Sequence, residues 1–72
     1  EDILKSISNQ FKNEPQNTSD GLKIDFKDAW VHLRKSNTEP IIRIYTEAKE
    51  SKQADALAQE FADRIRKAAE LT

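Results

Sequence analysis

The sequence predicts a two-layer α+β domain: a small antiparallel sheet of three to four strands with two helices packed on one face. Three observations predict it. Segments at the start and the end of the chain repeat their apolar residues at helical spacing. Between them, three runs alternate apolar and polar residues with period two. The connections are short, and no internal repeat, low-complexity tract or long linker interrupts them.

The first helix is read from "EDILKSISNQFKNE". Ile3, Leu4, Ile7 and Phe11 fall on one face of a 3.6-residue period. Glu1 and Asp2 place negative charge at its amino end, where the helix dipole favours it. Pro15 is expected to stop it. "QNTSDG" then supplies turn formers, and a short extra strand within Gln16 to Asp20 is possible there. Gly21 is the single glycine and follows Asp20, so it is the expected positive-φ corner.

"LKIDF" puts Leu22, Ile24 and Phe26 on one face and Lys23 and Asp25 on the other. "KDA" is a tight turn. "WVHLR" follows, with Val31 and Leu33 inward and Trp30, His32 and Arg34 outward. After Pro40, "IIRIYTEA" alternates again: Ile42, Ile44 and Thr46 against Ile41, Arg43 and Tyr45. Short connections make these three strands an antiparallel meander. The closing helix, "SKQADALAQEFADRIRKAAELT", carries Ala54, Leu57, Ala58, Phe61, Ile65 and Ala68 as one stripe. Ser51 is its expected N-cap. Arg64, Arg66 and Lys67 lie toward its carboxyl end.

Bulk numbers narrow the function. The 72 residues suffice for one domain. A chain of this size buries only about 60% of its unfolded surface. With no cysteine, neither a disulfide framework nor a thiolate metal site supports it, which is compatible with a cytoplasmic setting. Twelve basic and 13 acidic residues give a net charge of −1, which argues against a nucleic-acid binder. No apolar run approaches the roughly 20 residues that cross a bilayer, so no membrane association is expected. The Glu1–Asp2 start lacks the basic residues of a signal peptide. The chain has no methionine, and the expectation is a piece of a larger polypeptide or a processed product.

The stretch with most chemistry is "LRKSNTEP", Leu33 to Pro40, between two strand-like runs. The Arg34 guanidinium is a planar fork of donors that matches two phosphate oxygens. Ser36 and Thr38 add hydroxyl donors. Asn37 tolerates a left-handed backbone, which turns successive N–H groups into an anion-binding nest. Pro40 holds Glu39 extended and ends the loop. Arg43, on the outgoing strand, faces the same solvent as Arg34 if the two strands pair. Glu39 is placed to orient either arginine. Every one of these groups except Glu39 donates, and none needs to titrate near neutral pH. Ser, Thr and Asn are also ordinary turn formers, so the residues alone leave a solvated hairpin loop open beside an anion site.

The other polar residues say less. His32 is the single histidine and shares a strand face with Arg34. No carboxylate stands at a spacing that makes it a proton relay, so it is read as facing solvent or an interface. Trp30 and Tyr45 lie on the same side and are expected to pack against another domain or shelter the sheet. Glu47, Glu50, Asp55 and Glu60 show no metal-ligand spacing.

Asp20 to Glu50, "DGLKIDFKDAWVHLRKSNTEPIIRIYTEAKE", resembles the carboxyl-terminal domain of the α-D-phosphohexomutases. That superfamily includes phosphoglucomutase, phosphomannomutase and phosphoglucosamine mutase. The resemblance rests on an Arg-x-Ser-(Gly or Asn)-Thr-Glu-Pro loop followed by a strand with another arginine that ends in Glu-Ala. Those residues are Arg34, Ser36, Asn37, Thr38, Glu39, Pro40, Arg43, Glu47 and Ala48. The family often has proline or alanine where this chain has Lys35, which adds a positive charge beside the loop.

The resemblance implies a TATA-box-binding-protein-like fold and a place as the last of four domains. It implies that Arg34, Ser36, Asn37 and Thr38, with Arg43 as a further contact, hold the phosphate of a hexose phosphate. The phosphoserine nucleophile, the magnesium-binding aspartates and the sugar-recognition loop would belong to the other three domains. These residues would then include no catalytic group, metal site or cofactor, and the fragment alone would be inactive. Its partners would be the hexose phosphate and the three other domains. The competing reading is a non-catalytic module whose open sheet face binds single-stranded nucleic acid or a protein.

Overall fold

A computed structural model describes residues 2–36 and 41–70. In chain order the elements are α1 (Asp2–Gln10), β1 (Gln16–Asn17), β2 (Leu22–Phe26), β3 (Ala29–Lys35), β4 (Ile42–Ala48) and α2 (Ser51–Glu70). The four strands form one antiparallel sheet in the order β1-β2-β3-β4, a meander with the short extra strand at one edge. The expected α+β architecture is the observed one.

Alternation decides which face of the sheet is covered. Leu22 and Ile24 of β2 and Val31 and Leu33 of β3 point to the helices and are at most 1% exposed. Ile7 from α1 and Phe61 from α2 complete the fully buried set. Ile42 and Ile44 of β4 pack at its margin with Ile3, Leu4, Phe11, Phe26, Leu57 and Ile65. Fully burying one such side chain stabilises by about 1.5–3 kcal/mol. Phe11, Phe26 and Phe61 meet in an aromatic cluster with ring centroids 5.3–6.2 Å apart. The Arg64 side chain closes this cluster, its guanidinium carbon 4.7 Å from the Phe11 ring centre. Arg64 also bonds Glu60 on its own helix and Gln10 on α1, which ties the two helices together.

Three local outcomes refine the sequence reading. The first helix ends at Gln10, well before Pro15. The Gln16 side-chain amide donates to the carbonyls of Ser8 (3.1 Å) and Phe11 (2.6 Å), and the Phe11 N–H turns back to Ser8 (3.1 Å). These bonds, with the Glu14 N–H donating to the Phe11 carbonyl (3.0 Å), satisfy the carbonyls at the helix end, so the helix needs no proline to stop. At α2 the Glu50 carbonyl accepts the Ala54 N–H (3.1 Å), which makes Glu50 the cap position and Ser51 the first helical residue. In the β2–β3 turn Asp28 sits at φ 64°, a left-handed conformation that a short polar side chain tolerates. No helix among the described residues is long and apolar enough to cross a membrane.

Candidate functional site

Both helices lie on one side, so the outward residues of β2, β3 and β4 form an open face. The ladder arranges them in rows. Asp25, Trp30 and Glu47 make one row, and Lys23, His32 and Tyr45 make the next. Arg34 of β3 and Arg43 of β4 face each other in the third row. Trp30, His32 and Tyr45 share this face as expected, with the Lys23 ammonium 5.0 Å from the Trp30 ring centre. The His32 and Tyr45 rings lie 6.3 Å apart.

Charge is not spread evenly over the face. Asp25 and Glu47 flank Trp30 at one end, while Lys23, Arg34 and Arg43 gather toward the other. That cationic end is where β3 hands over to β4. The Ser36 N–H donates to the Ile41 carbonyl (3.0 Å), closing the ladder around residues 37–40. Arg34 and Arg43 therefore stand two residues from the loop's two ends. The Ser36 amide is committed to that closing bond. Asn37 and Thr38, the other expected contacts, lie outside the described residues, as does Glu39, the expected arginine partner.

Arg34 has a partner the sequence reading did not assign. Its Nη2 lies 3.3 Å from Asp20 Oδ2. The Asp20 carbonyl accepts a 2.6 Å hydrogen bond from His32 Nε2. A carbonyl oxygen can only accept, so Nε2 carries the proton in this arrangement. Gly21 explains why Asp20 can reach two residues of β3. It has φ 74°, and an ideal Cβ there would lie 2.2 Å from the Leu33 carbonyl oxygen. Only glycine lets the corner lie so close to the strand. A shallow hollow of about 120 Å³, lined by Asn17, Ser19, Asp20, Lys23 and His32, opens beside this corner. The signal for Asp20 was present in "DG", but its contact with Arg34 follows from a register set by Gly21, which periodicity does not report.

The arrangement pairs two arginine positions across the β3–β4 ladder, near the end where those strands connect. Among the described residues no group of three or more His, Asp or Glu side chains is placed to hold a metal ion.

Comparison with known proteins bears on what this face does. A family model described as phosphoglucomutase/phosphomannomutase, C-terminal domain, matches residues 1–64. A probable phosphoglucosamine mutase from Methanopyrus kandleri is 43% identical over 53 residues, 74% of this chain and 12% of the relative. A phosphoglucosamine/phosphogalactosamine mutase from Sulfurisphaera tokodaii is 45% identical over 63 residues, 85% of this chain and 14% of the relative. A phosphomannomutase from Methanocaldococcus jannaschii is 35% identical over 65 residues, 90% of this chain and 14% of the relative. The chain thus spans less than one sixth of the length of each of these relatives.

Proposed function

The chain belongs to the phosphoglucomutase/phosphomannomutase family, whose C-terminal domain it matches, and on that premise we propose that it supplies the substrate-phosphate site of a larger phosphohexomutase. The parent enzyme would interconvert hexose 1-phosphate and 6-phosphate through a bisphosphorylated intermediate. Arg34, Ser36, Asn37, Thr38 and Arg43 would hold the phosphate that is not reacting.

One observation carries this reading: Arg34 and Arg43 are direct partners across the β3–β4 ladder. Like charges directly opposite destabilise a sheet. A sequence built for stability alone would place an opposite charge or a β-branched residue at one of these positions. A dianion at the loop mouth turns the repulsion into a two-guanidinium clamp. The names of the relatives point the same way. The sugars in those names differ, mannose in one and glucosamine in others, and the phosphate is common to them. A site of guanidiniums and hydroxyls reads the common part.

Magnitudes set what the chain does alone. A charge-assisted hydrogen bond contributes about 1.5–3 kcal/mol. Three such bonds must offset an association cost of about 4 kcal/mol or more. The isolated chain is therefore expected to bind phosphate at millimolar concentration and to catalyse nothing. In the parent the same contacts act on the reaction from a distance. Fixing one phosphate holds the far hydroxyl near the group that exchanges the phosphoryl, which removes orientational entropy from the barrier. Binding energy remote from the reacting centre is used in this way. Donors that need no proton transfer serve either phosphate after the intermediate reorients.

The nucleophile, the sugar-recognition loop and the magnesium ion implied by family membership would come from the other three domains. The described residues offer no cluster of three or more His, Asp or Glu side chains for the ion. A cytoplasmic setting belongs to the same proposal. The competing module reading fits the face less well, because a nucleic-acid track needs positive charge along its length. Here Asp25 and Glu47 occupy the Trp30 end. The test is kinetic: in the full-length enzyme Arg34→Ala should lower kcat/KM by roughly ten- to a hundredfold, from the bond energies above. Unchanged kinetics would remove Arg34 from the site.

A further inference from the structure

Resting on the phosphate reading, we propose that Asp20 is a positioning residue that sets the plane of the Arg34 guanidinium before the anion arrives. Asp20 sits 14 residues from Arg34, on a corner that reaches three successive residues of β3. Its carboxylate pairs with Arg34 Nη2 at 3.3 Å. Its carbonyl accepts from His32 Nε2 at 2.6 Å. Between them, Gly21 lies against the Leu33 carbonyl, where no Cβ would fit. The corner is thus fixed by backbone contact and by a histidine tether, and its carboxylate is presented to the arginine from a rigid seat.

The need for such a seat follows from the arginine's surroundings. The Arg34 side chain is 48% exposed, and it faces Arg43 across the ladder. Left alone, a long exposed guanidinium beside another cation swings away into solvent. Asp20 offsets that repulsion and takes one Nη2 contact. A guanidinium has five N–H donors in a fixed fork, so one carboxylate leaves donors for a phosphate. His32 acts at one remove by holding the Asp20 carbonyl.

The opposite role is also physical: Asp20 is a negative charge near an anion site, and as a mere competitor it would weaken phosphate binding. The sign of one substitution separates the two. As a positioner, Asp20 saves rotamer entropy on binding. Its loss in Asp20→Ala should weaken phosphate affinity about two- to tenfold, although a repulsive charge has been removed. Asp20→Asn keeps an oxygen acceptor for Nη2 at the same place and should recover most of the wild-type affinity.

The experiment is a titration of the ¹⁵N-labelled 72-residue chain and both variants with inorganic phosphate and with glucose 6-phosphate, following the Arg34 side-chain signal and the Ser36 amide. Support is the affinity order wild type, then Asn, then Ala. Equal or tighter binding by Asp20→Ala overturns the role of Asp20, as does an Asn variant as weak as Ala. If Asp20→Ala does not fold, ¹⁵N relaxation of Arg34 in the phosphate-free wild type decides. An ordered guanidinium, approaching that of the firmly held Arg64, supports the proposal, and a freely mobile one overturns it. Absence of any phosphate-dependent shift at Arg34 in the wild type overturns the phosphate reading and this inference together. Wild-type binding at Arg34 that Asp20→Ala leaves unchanged overturns only this inference.

Discussion

Arg34 and Arg43 stand opposite each other in the β3–β4 ladder, two cations on an open sheet face at the edge of a closed loop. Like charges directly opposite each other destabilise a sheet. Replacing Arg43 with threonine removes the repulsion and adds a β-branched residue to a strand. Arg43→Thr should raise stability toward urea by about 0.2–1 kcal/mol without phosphate. The same variant should lose most of the stabilisation that added phosphate gives the wild type. Urea denaturation with and without phosphate measures both halves. A variant that is less stable without phosphate would contradict the pairing argument.

Gly21 is the position where backbone geometry permits only one residue. Gly21→Ala forces a Cβ into the Leu33 carbonyl at a positive φ. The expected loss is about 1–3 kcal/mol, seen as a lower thermal midpoint. Because the corner carries Asp20, the Arg34 side-chain signal should shift in this variant even where the core signals of Val31 and Phe61 do not.

Gln16 bonds the Ser8 carbonyl of α1 and the Phe11 carbonyl just beyond it, and it also accepts from the Ser8 hydroxyl. Gln16→Ala removes one of two donors from each carbonyl, since the Phe11 N–H still reaches Ser8 and the Glu14 N–H still reaches Phe11. A loss of about 0.5–1.5 kcal/mol per lost bond is expected in urea denaturation, with faster hydrogen exchange in the last turn of α1. Pro15→Ala should be milder by comparison, since the proline does not end the helix.

Phe61 is fully buried between the sheet and the two other rings of its cluster. Phe61→Ala should cost about 3–5 kcal/mol. A domain of 72 residues has only about 4–11 kcal/mol in total. The variant should therefore be substantially unfolded near 40 °C, by circular dichroism, whereas Leu57→Ala at the margin of the core should remain folded.

Much of this was legible in the sequence, and what was legible follows one rule. Period-two alternation reports which residues share a face, so it separates Val31 and Leu33, which are buried, from Arg34, and Ile42 and Ile44 from Arg43. The helical stripe ending in Ala68 was readable for the same reason. Contacts set by register were not readable. The Asp20–Arg34 pair depends on how the Gly21 corner seats against β3, and Gln16 reaches α1 only because β1 folds back beside its end. Pro15 is a strong local signal, but the helix ends before it, where the Phe11 N–H and the Gln16 side chain, eight residues from Ser8, both bond the Ser8 carbonyl. Local pattern gave the layers, while long-range polar contacts arranged the candidate site.

The central claim is that the β3–β4 loop end grips a phosphate dianion. It is tested most directly by titrating the labelled chain with glucose 6-phosphate, using glucose as the uncharged control, and mapping the signals that move. The account predicts millimolar, saturable shifts centred on Arg34, Ser36 and Arg43, absent with glucose. Shifts confined to the helical face, or none at Arg34 and Arg43 at saturating phosphate, would contradict it.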